Sequence, residues 1–323
     1  MNKTPWLVCS SFVLSSVLAV TALASGDPER VIYGEDDRQD IYQVTNSRDV
    51  ELSSSTVVLM NGGKLTRSGE KFEISADTFQ REFGLCSSEP FKDQFSGGFC
   101  SGAMVGEDLI ITAGHCVVGP SECAATKFVF GYAVTKEGEY PTSTLASEVY
   151  GCKEIISRKQ ENTGADFALI RTDRKITGHK ALKINRVSDL KSGDKVGVIG
   201  HPSGLPVKVA FGDSEVRNVS KPGFFVANLD TYGGNSGSAV FNTKTGLIEG
   251  ILVRGETDFV YRNGCRVSNV CTASGCRGED VTKISTLAAL IPETDRTTPT
   301  EPTEPTPPSA ETSQWPSSAR TRR

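Results

Sequence analysis

From about Val57 to Thr282 the chain alternates short apolar, β-branched runs with glycine-rich polar turns. The runs are Val57 to Met60, Phe99 to Val105, Leu109 to Ala113, Lys127 to Val134, Phe167 to Thr172, Val196 to Ile199, Val207 to Phe211, Phe224 to Leu229 and Gly246 to Val253. Each is the length of a strand, and together they predict an all-β barrel or sandwich rather than βαβ units. Only Val281 to Ile291 carries helical spacing, with Ile284, Leu287, Leu290 and Ile291 apolar, and it predicts a helix that closes the domain.

The two ends of the chain follow other rules. Lys3 precedes an apolar run from Trp6 to Leu23, and Ala22-Leu23-Ala24 has the small-x-small form of a signal peptidase site. Residues 1–24 are therefore expected to be a signal peptide. The alternative is a membrane anchor, but the run is short and broken by Ser10, Ser11, Ser15 and Ser16. Residues 25–30 are expected to be a short propeptide, with processing between Arg30 and Val31; the alternative is that Gly26 to Arg30 stays on. Residues 31–292 form the predicted folded domain. Residues 293–323, rich in Thr, Pro, Glu and Ser, carry too little apolar surface to fold and are expected to be a disordered tail.

Composition narrows the function. The 323 residues are 37% hydrophobic and 23% charged, enough for one two-lobed domain or two small ones. A net charge of -4, with Lys and Arg scattered along the chain, offers no field for nucleic acid. Without the signal, eight cysteines remain, namely Cys86, Cys100, Cys116, Cys123, Cys152, Cys265, Cys271 and Cys276. An even number in an exported chain reads as disulfides. Zinc is the competitor for Cys265 to Cys276, but the spacings lack two close pairs at a finger-like distance.

Three segments carry chemistry. In Gly233-Gly234-Asn235-Ser236-Gly237-Ser238 a serine stands between glycines after an extended run. That arrangement allows a tight turn whose Gly234 and Ser236 amides converge on one point, an oxyanion site. In Thr112-Ala113-Gly114-His115-Cys116 a histidine, one of three in the chain, follows a strand and precedes a cysteine. Cys100, sixteen residues back, is the expected partner of Cys116, and a bridge of that loop length contributes about 3 kcal/mol. In Ala165-Asp166-Phe167-Ala168-Leu169-Ile170 an aspartate heads an apolar strand, where a carboxylate needs a partner such as an imidazole N–H. Taken singly, each has an ordinary structural reading.

Together these segments resemble the chymotrypsin-fold serine proteases. His115, Asp166 and Ser236 stand in that family's order, 51 and 70 residues apart, unlike the orders of subtilisins and α/β-hydrolases. Four further segments are most similar to the bacterial glutamyl-endopeptidase-like branch: Gly233 to Ser238, Val240-Phe241-Asn242, Gly200 to Pro206, and Val31-Ile32-Tyr33 with Asp37-Arg38. The resemblance spans Val31 to Ile291. It implies a trypsin-like domain of two six-stranded antiparallel β-barrels with a boundary near residues 185–195 and a C-terminal helix. It also implies a catalytic triad of His115, Asp166 and Ser236, and an oxyanion hole of the Gly234 and Ser236 amides.

For specificity, the resemblance places Asp230, Thr231, Val253, Arg254 and Gly255 along the substrate. Where the glutamate-cleaving members carry a histidine this chain has Leu252, which argues against glutamate. Asp230, six residues before Ser236, aligns with the pocket-base aspartate of trypsin-like enzymes and implies cleavage after Arg or Lys; Glu279 or Asp280 could add to it. The alternative is that Asp230 only bonds neighbouring backbone. Asn235 replaces the aspartate that pairs with a freed amino terminus in trypsin-type activation. Arg254 replaces an aromatic residue. The expected protein is a secreted or periplasmic monomer acting on polypeptides, with no metal, cofactor, nucleic acid or membrane span after signal removal. The competing class is a catalytically silent binding or adhesion protein on the same scaffold.

Overall fold

The computed structural model describes residues 32–187 and 189–293, so the signal, the Arg30-Val31 site and the tail beyond Glu293 lie outside the described residues. Six strands close a barrel: β1 (Thr56–Asn61), β2 (Cys100–Gly106), β3 (Leu109–Thr112), β4 (Thr126–Val129), β5 (Val149–Gln160) and β6 (Asp166–Thr172). Their order around it is β5-β6-β3-β2-β1-β4. Seven more form a curled sheet: β7 (Val196–Gly200), β8 (Lys208–Ala210), β9 (Val216–Asn218), β10 (Phe224–Ala227), β11 (Ala239–Asn242), β12 (Ile248–Arg254) and β13 (Glu279–Lys283). Their order is β8-β7-β11-β12-β13-β10-β9. The all-β expectation holds, with the second barrel realised as this seven-stranded sheet.

Closure explains the sequence pattern. Phe167, Ala168, Leu169 and Ile170 of β6 are all buried, because a strand of a small barrel faces the interior on one side and packed neighbours on the other. One apolar cluster runs from Val57 and Ile110 in the barrel to Phe241 and Ile251 in the sheet, so the lobes share a core. Each such side chain contributes roughly 1.5–3 kcal/mol on burial.

The predicted helix over 281–291 is not found. Glu279–Lys283 is the central strand β13, between β12 and β10, and two 3-10 turns follow, Ile284–Thr286 and Ala288–Leu290. The reason is periodic: a 3-10 turn repeats every three residues, so Ile284 and Leu287 are buried as they would be in an α-helix. The twelve-residue β5 escaped the pattern because its residues from Cys152 to Gln160 are half-buried or exposed.

Four disulfides are present, Cys86–Cys265, Cys100–Cys116, Cys123–Cys152 and Cys271–Cys276. No helix among the described residues is long and apolar enough to cross a membrane.

Candidate active site

Strand register brings the first two residues together. Thr112 at the end of β3 pairs with Ala168 near the start of β6, so the chain leaving β3 runs beside the chain entering β6. Three residues past Thr112 lies His115; two residues before Ala168 lies Asp166. The His115 Nδ1 stands 2.8 Å from Asp166 Oδ2, and the His115 backbone N–H donates to Oδ1 at 3.1 Å. Asp166 is 3% exposed. With both carboxylate oxygens facing this loop, the Nδ1 carries the proton and Nε2 is left as the basic nitrogen. Gly114 is required for the approach: a Cβ there would fall 2.1 Å from the Lys159 carbonyl oxygen and 2.9 Å from Asp166 Oδ1.

Ser236 comes from the other lobe. The turn after it enters β11, with the Gly237 N–H on the Leu252 carbonyl (2.7 Å) and the Leu252 N–H on the Ser238 carbonyl (2.9 Å). Gly237 has a φ of +92°, and a Cβ would fall 2.0 Å from the Ser101 carbonyl oxygen and 3.0 Å from the Ala113 nitrogen. The Ser236 loop therefore presses on the chain that carries His115. Ser101 of β2 fastens it, its N–H donating to the Ser236 carbonyl at 2.8 Å and its Oγ to the Gly234 carbonyl at 2.9 Å. The Cys116 Sγ, next to His115, lies 3.6 Å from the same Ser236 carbonyl oxygen. His115 and Ser236 are both half-buried, whereas their supports are buried.

The loop leaves donors open. Gly233 N–H donates to Asp258, Asn235 N–H to the Tyr232 carbonyl and Ser238 N–H to the Asn235 carbonyl. Among the described residues the N–H groups of Gly234 and Ser236 donate to nothing.

A cavity of about 140 Å³ opens beside Ser236, walled by Leu252, Val253, Gly255, Asp258 and Glu279, with Thr231 and Arg254 also at its edge. Glu279 is 1% exposed. Burial pushes its carboxyl well above the ordinary range, and the charge of Asp258 adds to this. Asp258 is itself pushed up to about 6, again chiefly by burial.

One expected substrate residue is placed otherwise. Asp230 does not line the cavity: its carboxylate accepts from the Tyr33 N–H at 2.7 Å and the Asp37 N–H at 3.0 Å, so it binds the N-terminal segment. Burial and the nearby Asp37 charge push it up to about 7. The physical reason is that Ile32–Tyr33 pairs with Val270–Cys271, which holds the Tyr33 amide at Asp230 and leaves that carboxylate occupied by backbone. Arg254 is among the residues that line the cavity, and its Nε donates to Asp280 Oδ2 at 3.0 Å.

Sequence reading missed Ser101 and Thr282. Thr282 Oγ1 accepts from the Asp166 N–H at 3.0 Å and donates to the Asp166 carbonyl at 2.8 Å. Ser101 signals itself only as a small polar residue inside an apolar strand, and Thr282, in the polar run Glu279–Lys283, carries no such signal.

Residues 100–251 match the family model of the trypsin-like peptidase domain. No curated protein matches the chain. Among solved structures it is similar to a Glu endopeptidase at 20% identity, with a TM-score of 0.47 over 81% of this chain and 97% of that one. It is similar to the VesB protease of Vibrio cholerae at 17% identity, TM-score 0.47, over 81% of this chain and 67% of that one. A third, described as HBP, is 13% identical with a TM-score of 0.48 over 79% of this chain and 93% of that one. With the match running from β2 into β12, on a closed barrel joined to a curled antiparallel sheet, residues 100–251 are a trypsin-like peptidase domain and the protein is a serine peptidase of the chymotrypsin fold.

Proposed function

We propose that the protein is an exported, monomeric endopeptidase that cuts polypeptides after Arg or Lys, with His115, Asp166 and Ser236 as its triad. The observation that carries this reading is the contact set joining the His115–Asp166 pair to the Ser236 loop through Cys116 and Ser101. The Ser236 Oγ attacks the scissile carbonyl carbon as His115 Nε2 takes its proton. Asp166 holds the Nδ1–H and stabilises the imidazolium. The negative oxygen of the tetrahedral intermediate meets the open Gly234 and Ser236 N–H groups. As the C–N bond breaks, His115 returns the proton to the leaving amine. A water then loses a proton to His115, adds to the acyl ester, and Ser236 leaves with that proton restored.

The basic preference rests on Glu279 and Asp258 rather than Asp230. An Arg or Lys side chain entering the cavity would displace their protons, since a charge-assisted pair favours the ionised carboxylate against its burial. Export is supported by the disulfides and by the signal-like start of the chain. The domain proposed for this activity is residues 31–292, its two lobes meeting near 185–195, with residues 25–30 removed after Arg30 and residues 293–323 as a tail.

The test is a fluorophosphonate probe with a library varied at the residue before the cut. Labelling should vanish in Ser236→Ala and His115→Ala, and an Arg or Lys preference should be lost in Glu279→Gln but kept in Asp230→Asn. A folded, processed protein that takes no label would reject the triad, and a preference for Glu or apolar residues would reject the pocket.

A further inference from the structure

Arg254 stands on β12, yet its side chain serves the opposite lobe. Its Nη1 donates to the Glu161 carbonyl at 3.0 Å and its Nη2 to the Gly164 carbonyl at 2.8 Å. Its Nε donates to Asp280 Oδ2 at 3.0 Å, and the guanidinium carbon sits 5.3 Å from the centre of the Phe224 ring. Glu161 and Gly164 bound the turn that enters β6, and Asp166 lies two residues further on. The turn is closed on itself: the Glu161 N–H donates to the Ala165 carbonyl at 3.0 Å, and the Ala165 N–H to Glu161 Oε2 at 3.1 Å. A movement of either carbonyl is therefore passed directly to Asp166.

The second sheet grips Asp166 at two adjacent points. Thr282 on β13 holds its backbone N–H and carbonyl, and Arg254, paired across the sheet with Asp280 on that same strand, holds the turn before it. Three acceptors, each within 3.0 Å of its own guanidinium nitrogen, suit a side chain whose donors form a fixed fork, and a lysine ammonium would reach them only in part. Asp280 keeps the fork in place and is itself held by Arg277. Arg254, with Val253 and Gly255, also lines the cavity beside Ser236. One residue thus lines that cavity and, through its guanidinium, holds the turn before Asp166.

We infer that Arg254 is a positioning residue of the triad, holding the Glu161–Gly164 turn so that Asp166 meets His115 in the orientation catalysis needs. This rests on the triad reading above. It gives the replacement of an aromatic residue by arginine a role in the chemistry and not in substrate charge.

The test compares wild type, Arg254→Lys and Arg254→Ala in steady-state hydrolysis of a fluorogenic substrate across pH, with thermal melts alongside. Arg254→Ala should lose about 10²-fold in kcat, the usual consequence of displacing a catalytic group by about 1 Å, with KM nearly unchanged. The acidic limb of kcat/KM should move to lower pH, because an imidazolium less well met by Asp166 gives up its proton more readily. Added guanidinium ion should restore part of the rate, and Arg254→Lys should fall between the two. If the alanine variant melts before assay, the lysine variant carries the same pH and kcat readouts. An unchanged kcat, or a loss with no shift of the acidic limb and no rescue by guanidinium, would overturn the inference. A wild type that takes no fluorophosphonate label would instead overturn the triad itself.

Discussion

The two sides of the cleft are built on different physics. On the base side, His115 and Asp166 end and begin neighbouring strands of a closed apolar barrel, and their meeting follows from strand register and from the space a glycine leaves. On the nucleophile side, Asp258 and Glu279 line the cavity with Ser236, and the same half buries Asp230 against the N-terminal segment and Lys208 on Asp40 at 2.7 Å. The first side is placed by strand register and by the polar grip of the second sheet on Asp166; the second carries buried acids whose protonation is shifted by burial.

The comparison breaks most severely where the halves are tied. Cys86–Cys265 joins a segment leading into the barrel to a hairpin of the second half across 179 residues. The chain-entropy model assigns such a closure about 5 kcal/mol, against about 2 kcal/mol for the short Cys271–Cys276 loop. Replacing both cysteines of each pair by serine and measuring chemical denaturation should give losses in that order. Equal losses would mean that loop length does not govern them. The next effect is on the base side: Gly114→Ala should cut kcat/KM by about 10²-fold or more, because the new methyl group collides with backbone that cannot yield without moving Asp166. The folded fraction should remain high by circular dichroism, and a fully active variant would show that the loop has slack the geometry denies.

The base side was legible in the sequence because each of its requirements is local. A histidine after a strand and an aspartate heading one are contiguous signals, and the order of the three segments adds the long-range information. The serine loop was legible for the same reason. The pocket was not, because the acid that lines it is set by which neighbours reach each carboxylate first. Asp230 sits where counting back from Ser236 puts a pocket base, but Tyr33 and Asp37, nearly two hundred residues earlier, claim it. Glu279 gave only a loose alignment, since its place on β13 depends on a segment whose spacing suits a helix as well as a strand followed by 3-10 turns. Arg254 was visible as a departure, while its partners at Glu161 and Gly164 follow only from the joining of the lobes.

The smallest effect, and the one that sharpens the comparison most, is the pH dependence of stability on the nucleophile side. His201 is fully buried at the end of β7, its Nδ1 bonded to the Leu205 carbonyl at 2.9 Å, and burial lowers it from 6.5 to about 3. Unfolded chains bind a proton there below pH 6.5 and the folded protein does not, so this group's contribution is complete above pH 6.5 and is lost as pH falls toward 3. Asp230 works in the other direction: raised from 3.8 to about 7, it holds a proton in the folded state that the unfolded chain has released. Its contribution is complete below pH 3.8 and is lost as pH rises through 7. In wild type the two slopes oppose each other over pH 4 to 6.5, so the net profile is shallow there. Relative to wild type, Asp230→Asn should gain stability with rising pH and His201→Asn should lose it. Each difference should approach but not exceed about 1.4 kcal/mol per pH unit, the value of one proton. Denaturation midpoints from pH 4 to 8 would decide it, and parallel profiles for both variants and wild type would show that neither buried group couples folding to pH.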